Sequence, residues 1–324
     1  MQTGYRIVRL RNGACSVRSL AEDETFHPGI GPAAEAEALY VRQLRLPERV
    51  RETDGEFVIW DVGLGAAANA LTTIRLVREN LAGDKGNLRT PRRGIPTSKS
   101  IRFISFDHTT AAATFALQHV AELNYLAGFE APLAELVKNR SVKFGDDGLK
   151  VEWTLVLGDF PAGLERFVGR DALPRVQADR QVGPTPSAGS EFGVPAPHAI
   201  MFDPHSPKKN PAMWTVSLFA GLFRRLDPER PCALATFTRS TMARAALLLG
   251  GFFVGVGHPS GLKEETTVAA NRLDLLDEPL DRRWLERAKR SHSAEPLREP
   301  VYFQALLSPE TRERLRQHPQ FARI

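Results

Sequence analysis

The sequence predicts an α/β fold: a mostly parallel sheet with helices on both faces and a small N-terminal β-hairpin extension. Three observations carry this. Six short runs are apolar throughout rather than alternating, as strands buried on both faces must be: FVIWDV, IRFISF, WTLVL, AIMF, CALATF and FFVGV. Segments with helical spacing, AAANALTTIRLVREN and TTAAATFALQHVAELNYLA, separate the early runs. Most of the runs also end in aspartate or glycine, where chains turn.

Bulk composition agrees with an ordinary globular chain. The 324 residues are enough for a large core, and their 42% hydrophobic and 25% charged content is neither fibrous nor disordered. A net charge of +5 and a pI near 9.4 fit a polyanionic partner or simply a basic surface. Cys15 and Cys232 are too few for a disulfide framework, so a reducing, cytoplasmic setting is expected. The N-terminal MQTGYRIVRLRNGACSV scatters arginines among its apolar residues and does not resemble a signal peptide. The longest apolar run, residues 245–257, is too short and glycine-rich to span a bilayer.

In chain order, residues 5–26 alternate around Asn12-Gly13, a hairpin signature, and GPAAEAEALYVRQLRL has helical spacing with Pro32 near its first turn. Residues 1–50 form this extension, 51–278 the sheet region, and 279–324 a tail of two short charged helices. Two polar inserts, 82–100 and 171–197, lack an apolar period and are expected as surface loops or partly disordered segments.

Open α/β sheets bind ligands beyond the carboxyl ends of their strands. There the first run supplies Asp61-Val62-Gly63-Leu64-Gly65 directly before a helix, so backbone can approach a ligand closely. The second run ends in Asp107, suited to ribose hydroxyls; the third leads to Gly158-Asp159 and the fourth to Asp203. A nicotinamide dehydrogenase shares the glycine turn and the ribose acid. Here, however, Ala67 and Ala68 stand where the third glycine is due, so the pyrophosphate fingerprint is incomplete. Acid-ended strands better suit a ligand with a ribose, an exocyclic amine and a cationic centre, as S-adenosylmethionine has. Taken singly, a Gly-x-Gly is an ordinary tight turn and a strand-ending Asp an ordinary helix cap; their succession on consecutive units carries the reading.

FHPGIGPAAEAEALYV, GLGAAANALT, RFISFDHT, LVLGDF, FDPHSPKKNPAMWT, LATFTRSTMARAALLLGGF and GHPSGLKEETTVA, within residues 26–270, resemble the methyltransferase module of the MnmC family. FDPHSPKKNPAMWT is the most specific of these. The resemblance implies a class I, Rossmann-like S-adenosylmethionine-dependent methyltransferase acting on the 5-aminomethyl group of a wobble 2-thiouridine in tRNA. It implies that Asp61, Gly63, Gly65 and Asn69 belong to the cofactor turn, that Asp107 holds the ribose, that Asp159 lies near the adenine, and that Glu35 reaches the same pocket. Asp203 matches the family's acid beside the amine to be methylated. The turn departs from the Gly-Phe-Gly-Thr-Gly usual in the fused enzymes, losing a hydroxyl. Their FAD-dependent oxidase half has no counterpart, so no FAD is expected, and the aminomethyl group must come from elsewhere.

Asp203 can accept a hydrogen bond from an amine and orient its lone pair. Prolines 204, 207 and 211 stiffen its loop. Lys208 and Lys209 either meet anticodon-stem phosphates or sit on a solvated turn. Trp214 either stacks on a splayed base or anchors a helix. Arg239, Arg244 and Lys263 are further candidate RNA contacts or plain surface charges. His205 and His258 are possible bases, and no spacing indicates a metal. The expectation is a monomer acting on the tRNA anticodon stem-loop; a methyltransferase of the same fold acting on a small amine or a protein, or a non-enzymatic RNA-binding relative, are the alternatives.

Overall fold

A computed structural model describes residues 4–85, 98–168, 194–261 and 264–322. Its main sheet has eight strands in the order β10-β11-β9-β8-β4-β5-β7-β6. These are β4 (Glu56–Val62), β5 (Lys99–Asp107), β6 (Ser141–Gly145), β7 (Leu149–Leu157), β8 (Ala199–Phe202), β9 (Ala233–Thr236), β10 (Phe253–Gly257) and β11 (Thr266–Ala270). The five central strands, from β9 to β7, run parallel. At the edges β6 opposes β7, β11 opposes β9, and β10 opposes β11.

The period of two along β4 explains why its sequence is apolar throughout. Phe57 and Ile59 face one core layer, while Val58, Trp60 and Val62 face the other. The first layer packs the sheet on α3 (Ala68–Lys85) and α5 (Glu130–Asn139), with Leu71, Ile74, Leu133 and Leu136 buried against Phe103 and Trp153. The second packs it on α7 (Val216–Arg224) and α8 (Thr241–Leu249), around Phe202, Trp214, Phe219 and Leu247. Each such side chain contributes about 1.5–3 kcal/mol by leaving water.

β6 and β11 are additions to the six expected strands. β6 is a short edge strand with little apolar content, and β11 is built of Thr, Val and Ala, so neither stands out as a continuous apolar run. The expected helix over 109–127 is shorter. α4 (Ala111–Leu117) tightens at its end, where Gln118 and His119 donate to the carbonyls of Phe115 and Ala116, and the chain continues through turns to α5. The helix at 31–46 also divides, into α1 (Pro32–Ala36), a widened stretch Glu37–Arg42, and α2 (Leu46–Glu52) beyond a left-handed Arg45. The first insert is trimmed at both ends, since α3 runs through Lys85 and β5 begins at Lys99. Residues 86–97 of that insert, and the second up to residue 193, lie outside the described residues.

The N-terminal hairpin forms as β1 (Tyr5–Arg9) and β2 (Cys15–Ser19), joined by a short third strand, β3 (Glu24–Thr25). Gly13 takes φ +87° in the turn, and the Asn12 side chain accepts from Ala14 N–H. The C-terminal residues join the main core rather than standing apart. Asp281 caps α9 (Arg282–Ala288), Ser308 caps α10 (Pro309–Gln317), and Trp284, Leu297 and Phe321 pack in the second layer. Gln320 pairs with both backbone groups of Val254 at the edge of the sheet. Among the described residues no helix is long and apolar enough to cross a membrane.

Candidate active site

The strand order reverses at β4, with β5 on one side and β8 on the other, which opens a crevice at their carboxyl ends. A cavity of about 760 Å³ lies there. Gly63, Gly65, Asn69, Asp107, Asp159, Asp203 and Glu35 all line it. The hairpin forms its opposite wall through Tyr5, Arg18, Glu24, Phe26 and His27.

The glycine turn is fixed by close backbone approach. Gly63 has φ +100°, and a Cβ there would meet the Asp203 carbonyl oxygen at 2.7 Å. Gly63 N–H donates to Phe106 C=O at 2.9 Å, and Asp203 N–H to Val62 C=O at 2.9 Å, so three strand ends are laced together. Ala67 adopts φ +64°, a conformation that suits glycine better than alanine.

Asp107 is anchored on both oxygens: Oδ2 accepts from Gly65 N–H at 3.0 Å and Oδ1 from Thr109 N–H at 3.1 Å. A carboxylate has about four acceptor positions, so lone pairs remain for a ribose diol. Asp159 caps α6 (Phe160–Val168) by accepting from Ala162 N–H at 3.0 Å, and it also lines the cavity. Glu35 accepts from the amides of Gly29 and Ile30, holding the loop that enters α1.

Asp203 follows β8 directly. Its Oδ2 accepts from Asn69 Nδ2 at 2.8 Å, and His27 Nε2 stands 3.8 Å away, with the two side chains 18% and 11% exposed. Behind it the buried Tyr40 hydroxyl lacks a partner with good hydrogen-bond geometry; burial first, and then the Asp203 charge, push its pKa well up. The loop beyond Asp203 is clamped by the hairpin, because Glu24 accepts from Ser206 Oγ and pairs with His205 Nδ1 at 3.0 Å. Burial would raise the Glu24 pKa, but these hydrogen bonds outweigh it and hold the carboxyl below its ordinary value.

Three expected site residues are placed otherwise: Asp61, Trp214 and Arg244. Asp61 does not line the cavity: it is 0% exposed within β4, accepting from Ser105 Oγ at 2.7 Å. Its register puts it one residue before the strand end, so pleating turns it into the sheet's interior. Burial raises its pKa to about 8, against the Ser105 hydrogen bond and with help from the Asp203 and Asp107 charges. Trp214 is 0% exposed, packs edge-on to Phe202 and Phe237, and donates to the His205 carbonyl at 2.9 Å. It anchors the loop and has no face for a base.

Among the candidate RNA contacts, Lys209 lines the cavity; Lys208 and Arg239 are exposed outside it, and Lys263 lies outside the described residues. Arg244 is buried and bonded to Glu265, Thr266 and Thr267, which makes it structural. His258 is held by a hydrogen bond from its amide to Gln43 and does not line the cavity. No group of metal-ligating side chains occurs among the described residues.

Phe26, His27, Glu24 and Tyr40 were not singled out from sequence. They belong to the hairpin and the helix after it, and no local pattern says that these fold over the sheet edge. The signal that existed was FHPGIG, whose apolar-then-turn texture abuts the EALYV helix.

S-adenosylmethionine fits these residues. The two glycines approach backbone and ring closely, Asp107 keeps free lone pairs, the buried Asn69 Oδ1 lacks a partner, and the acid-rich wall suits a sulfonium. Comparisons with known proteins agree. A family model described as S-adenosyl-L-methionine-dependent methyltransferase matches residues 192–272. The tRNA 5-methylaminomethyl-2-thiouridine biosynthesis bifunctional protein MnmC of Aeromonas hydrophila is 28% identical over 236 residues, 72% of this chain and 30% of that protein. The namesake from Pseudomonas fluorescens is 28% identical over 250 residues, 74% of this chain and 32% of that one. The chain thus spans under a third of the length of these relatives. The crystal structure of MnmC2 from Aquifex aeolicus superposes with a TM-score of 0.62 at 21% identity, covering 97% of this chain and 83% of that one. The chain thus has the fold of an S-adenosyl-L-methionine-dependent methyltransferase and is similar in sequence to the MnmC proteins.

Proposed function

We propose that this protein methylates the nitrogen of the 5-aminomethyl group on the wobble (2-thio)uridine of tRNA, yielding 5-methylaminomethyl. The observation that carries the reading is the shared cavity: Asp203, the candidate amine acceptor, lines the same space as Gly63, Gly65 and Asp107. The names of the similar proteins support the choice of nucleoside.

When bound, S-adenosylmethionine supplies an electrophilic methyl on a sulfonium. Asp203 accepts a hydrogen bond from the amine, points its lone pair at the methyl and stabilises the ammonium that develops. Asn69 holds that carboxylate from α3, and Glu24 holds the loop behind it from β3. Collinear placement of amine, methyl and sulfur is the main work of such a site. Lys208, Lys209 and Arg239 are exposed at or beyond the rim and reach phosphates of the anticodon stem-loop. We read the protein as a cytoplasmic monomer.

Nucleoside mass spectrometry tests this directly. Purified protein with S-adenosylmethionine should convert aminomethyl uridine in tRNA from a strain lacking the gene, and Asp203→Ala should not. Methylation of free amines with none of tRNA would overturn it.

A further inference from the structure

Methylating a protonated amine releases one proton. The ammonium must shed it before its lone pair can form the N–C bond; as that bond forms, the C–S bond breaks and sulfur keeps the electron pair. The product is a secondary ammonium, a neutral thioether and one free proton, which needs an acceptor beside Asp203.

Resting on the amine-methylation reading above, we infer that His27 is that acceptor: it receives the proton from the substrate ammonium by way of Asp203 and passes it to solvent at the cavity mouth. His27 Nε2 is 3.8 Å from Asp203 Oδ2, a gap closed by a small ring rotation or one water. Both side chains line the cavity. The Asn69 amide takes one lone pair of that same oxygen and leaves others for the imidazole and the amine. His27 is 11% exposed, shielded yet in touch with water. It sits at φ +47° on the loop that faces Asp203, so its ring is presented across the cavity rather than along the hairpin. Of the other imidazoles on the wall, His108 stands against Asp107 at 3.2 Å and His205 against Glu24 at 3.0 Å, which leaves His27 as the one set against Asp203. The other titratable groups on the wall or behind it are Tyr5, Arg18, Glu22, Asp23, Glu24, Glu35, Tyr40, Asp107, His108, Asp159, Asp203, His205 and Lys209. Glu24 and His205 already pair with each other, and Glu35 is engaged by two amides.

The test compares wild type with His27→Asn, which tolerates the left-handed backbone, and His27→Gln. Single-turnover methylation of aminomethyl tRNA is followed across pH, with S-adenosylmethionine and tRNA affinities measured separately. The expected result is unchanged affinities and a methylation rate lower by about 100-fold at neutral pH, the usual scale of general-base catalysis, recovering as alkali deprotonates the amine. A wild-type rate and profile in both variants would overturn the assignment, as would a loss confined to cofactor or tRNA affinity. A wild-type protein inactive on every aminomethyl substrate would instead remove the functional reading itself, and this inference with it.

Discussion

Asn69 on α3 donates to Asp203 Oδ2 at 2.8 Å across 134 positions of sequence. The glycine turn with the start of α3 and the candidate amine acceptor are therefore one mechanical unit. Replacing Asn69 by Ala frees the carboxylate to rotate and removes a charge-assisted hydrogen bond. The expected outcome is a loss of methylation rate of roughly 10-fold or more, since such bonds contribute about 1.5–3 kcal/mol. Steady-state kinetics with saturating tRNA checks it, and Asn69→Asp should be worse still because it sets two acids face to face.

Glu24 couples the hairpin to the Asp203 loop, and its effect depends on pH. Its folded pKa is depressed, so the stability it adds is present above the ordinary glutamate value, about 4.3, and is lost as pH falls through the lower folded value. Glu24→Gln should remove that acid-sensitive part and raise KM for tRNA more than it changes the affinity for S-adenosylmethionine. Denaturation midpoints at several pH values between neutrality and acid, beside calorimetry, show whether this holds.

Asp61 works in the opposite sense. Its carboxyl is raised to about 8 in the folded protein, so stability is fullest below the ordinary aspartate value, about 3.9, and declines as pH rises toward 8. Asp61→Asn keeps an acceptor for Ser105 and cannot ionise. It should flatten the loss of stability between weakly acidic and alkaline pH. A variant whose urea midpoint tracks the wild type over that range would show that Asp61 is not held neutral.

Ala67 sits at φ +64° in the turn. Left-handed backbone costs a Cβ-bearing residue roughly 1–2 kcal/mol, while glycine adds unfolded-state entropy. Ala67→Gly should stabilise the protein by about 1 kcal/mol net, read as a small upward shift in thermal midpoint. A lower midpoint would show that packing of the buried methyl outweighs the relief.

The parallel core was legible in the sequence, because strands covered on both faces are apolar at nearly every position, as FVIWDV, IRFISF and AIMF are. The acids at successive strand ends likewise marked Asp107, Asp159 and Asp203, and all three line the cavity. Whether an acid at a strand's end meets the cavity or the sheet depends on pleat and register, and this is why Asp61 had to be placed by the tertiary structure. Trp214 was ambiguous for a related reason: an indole in a polar loop fits either exposure or anchoring until its neighbours are known, and Phe202, Phe219 and Phe237 bury it. The opposite wall was invisible. Glu24 and His27 lie well over a hundred residues from Asp203, and hairpin patterning encodes which face is apolar, not which distant loop it will cover. Local periodicity and terminal residue types thus settled the layers and the acids; long-range packing alone decided which side chains face one another across the cavity.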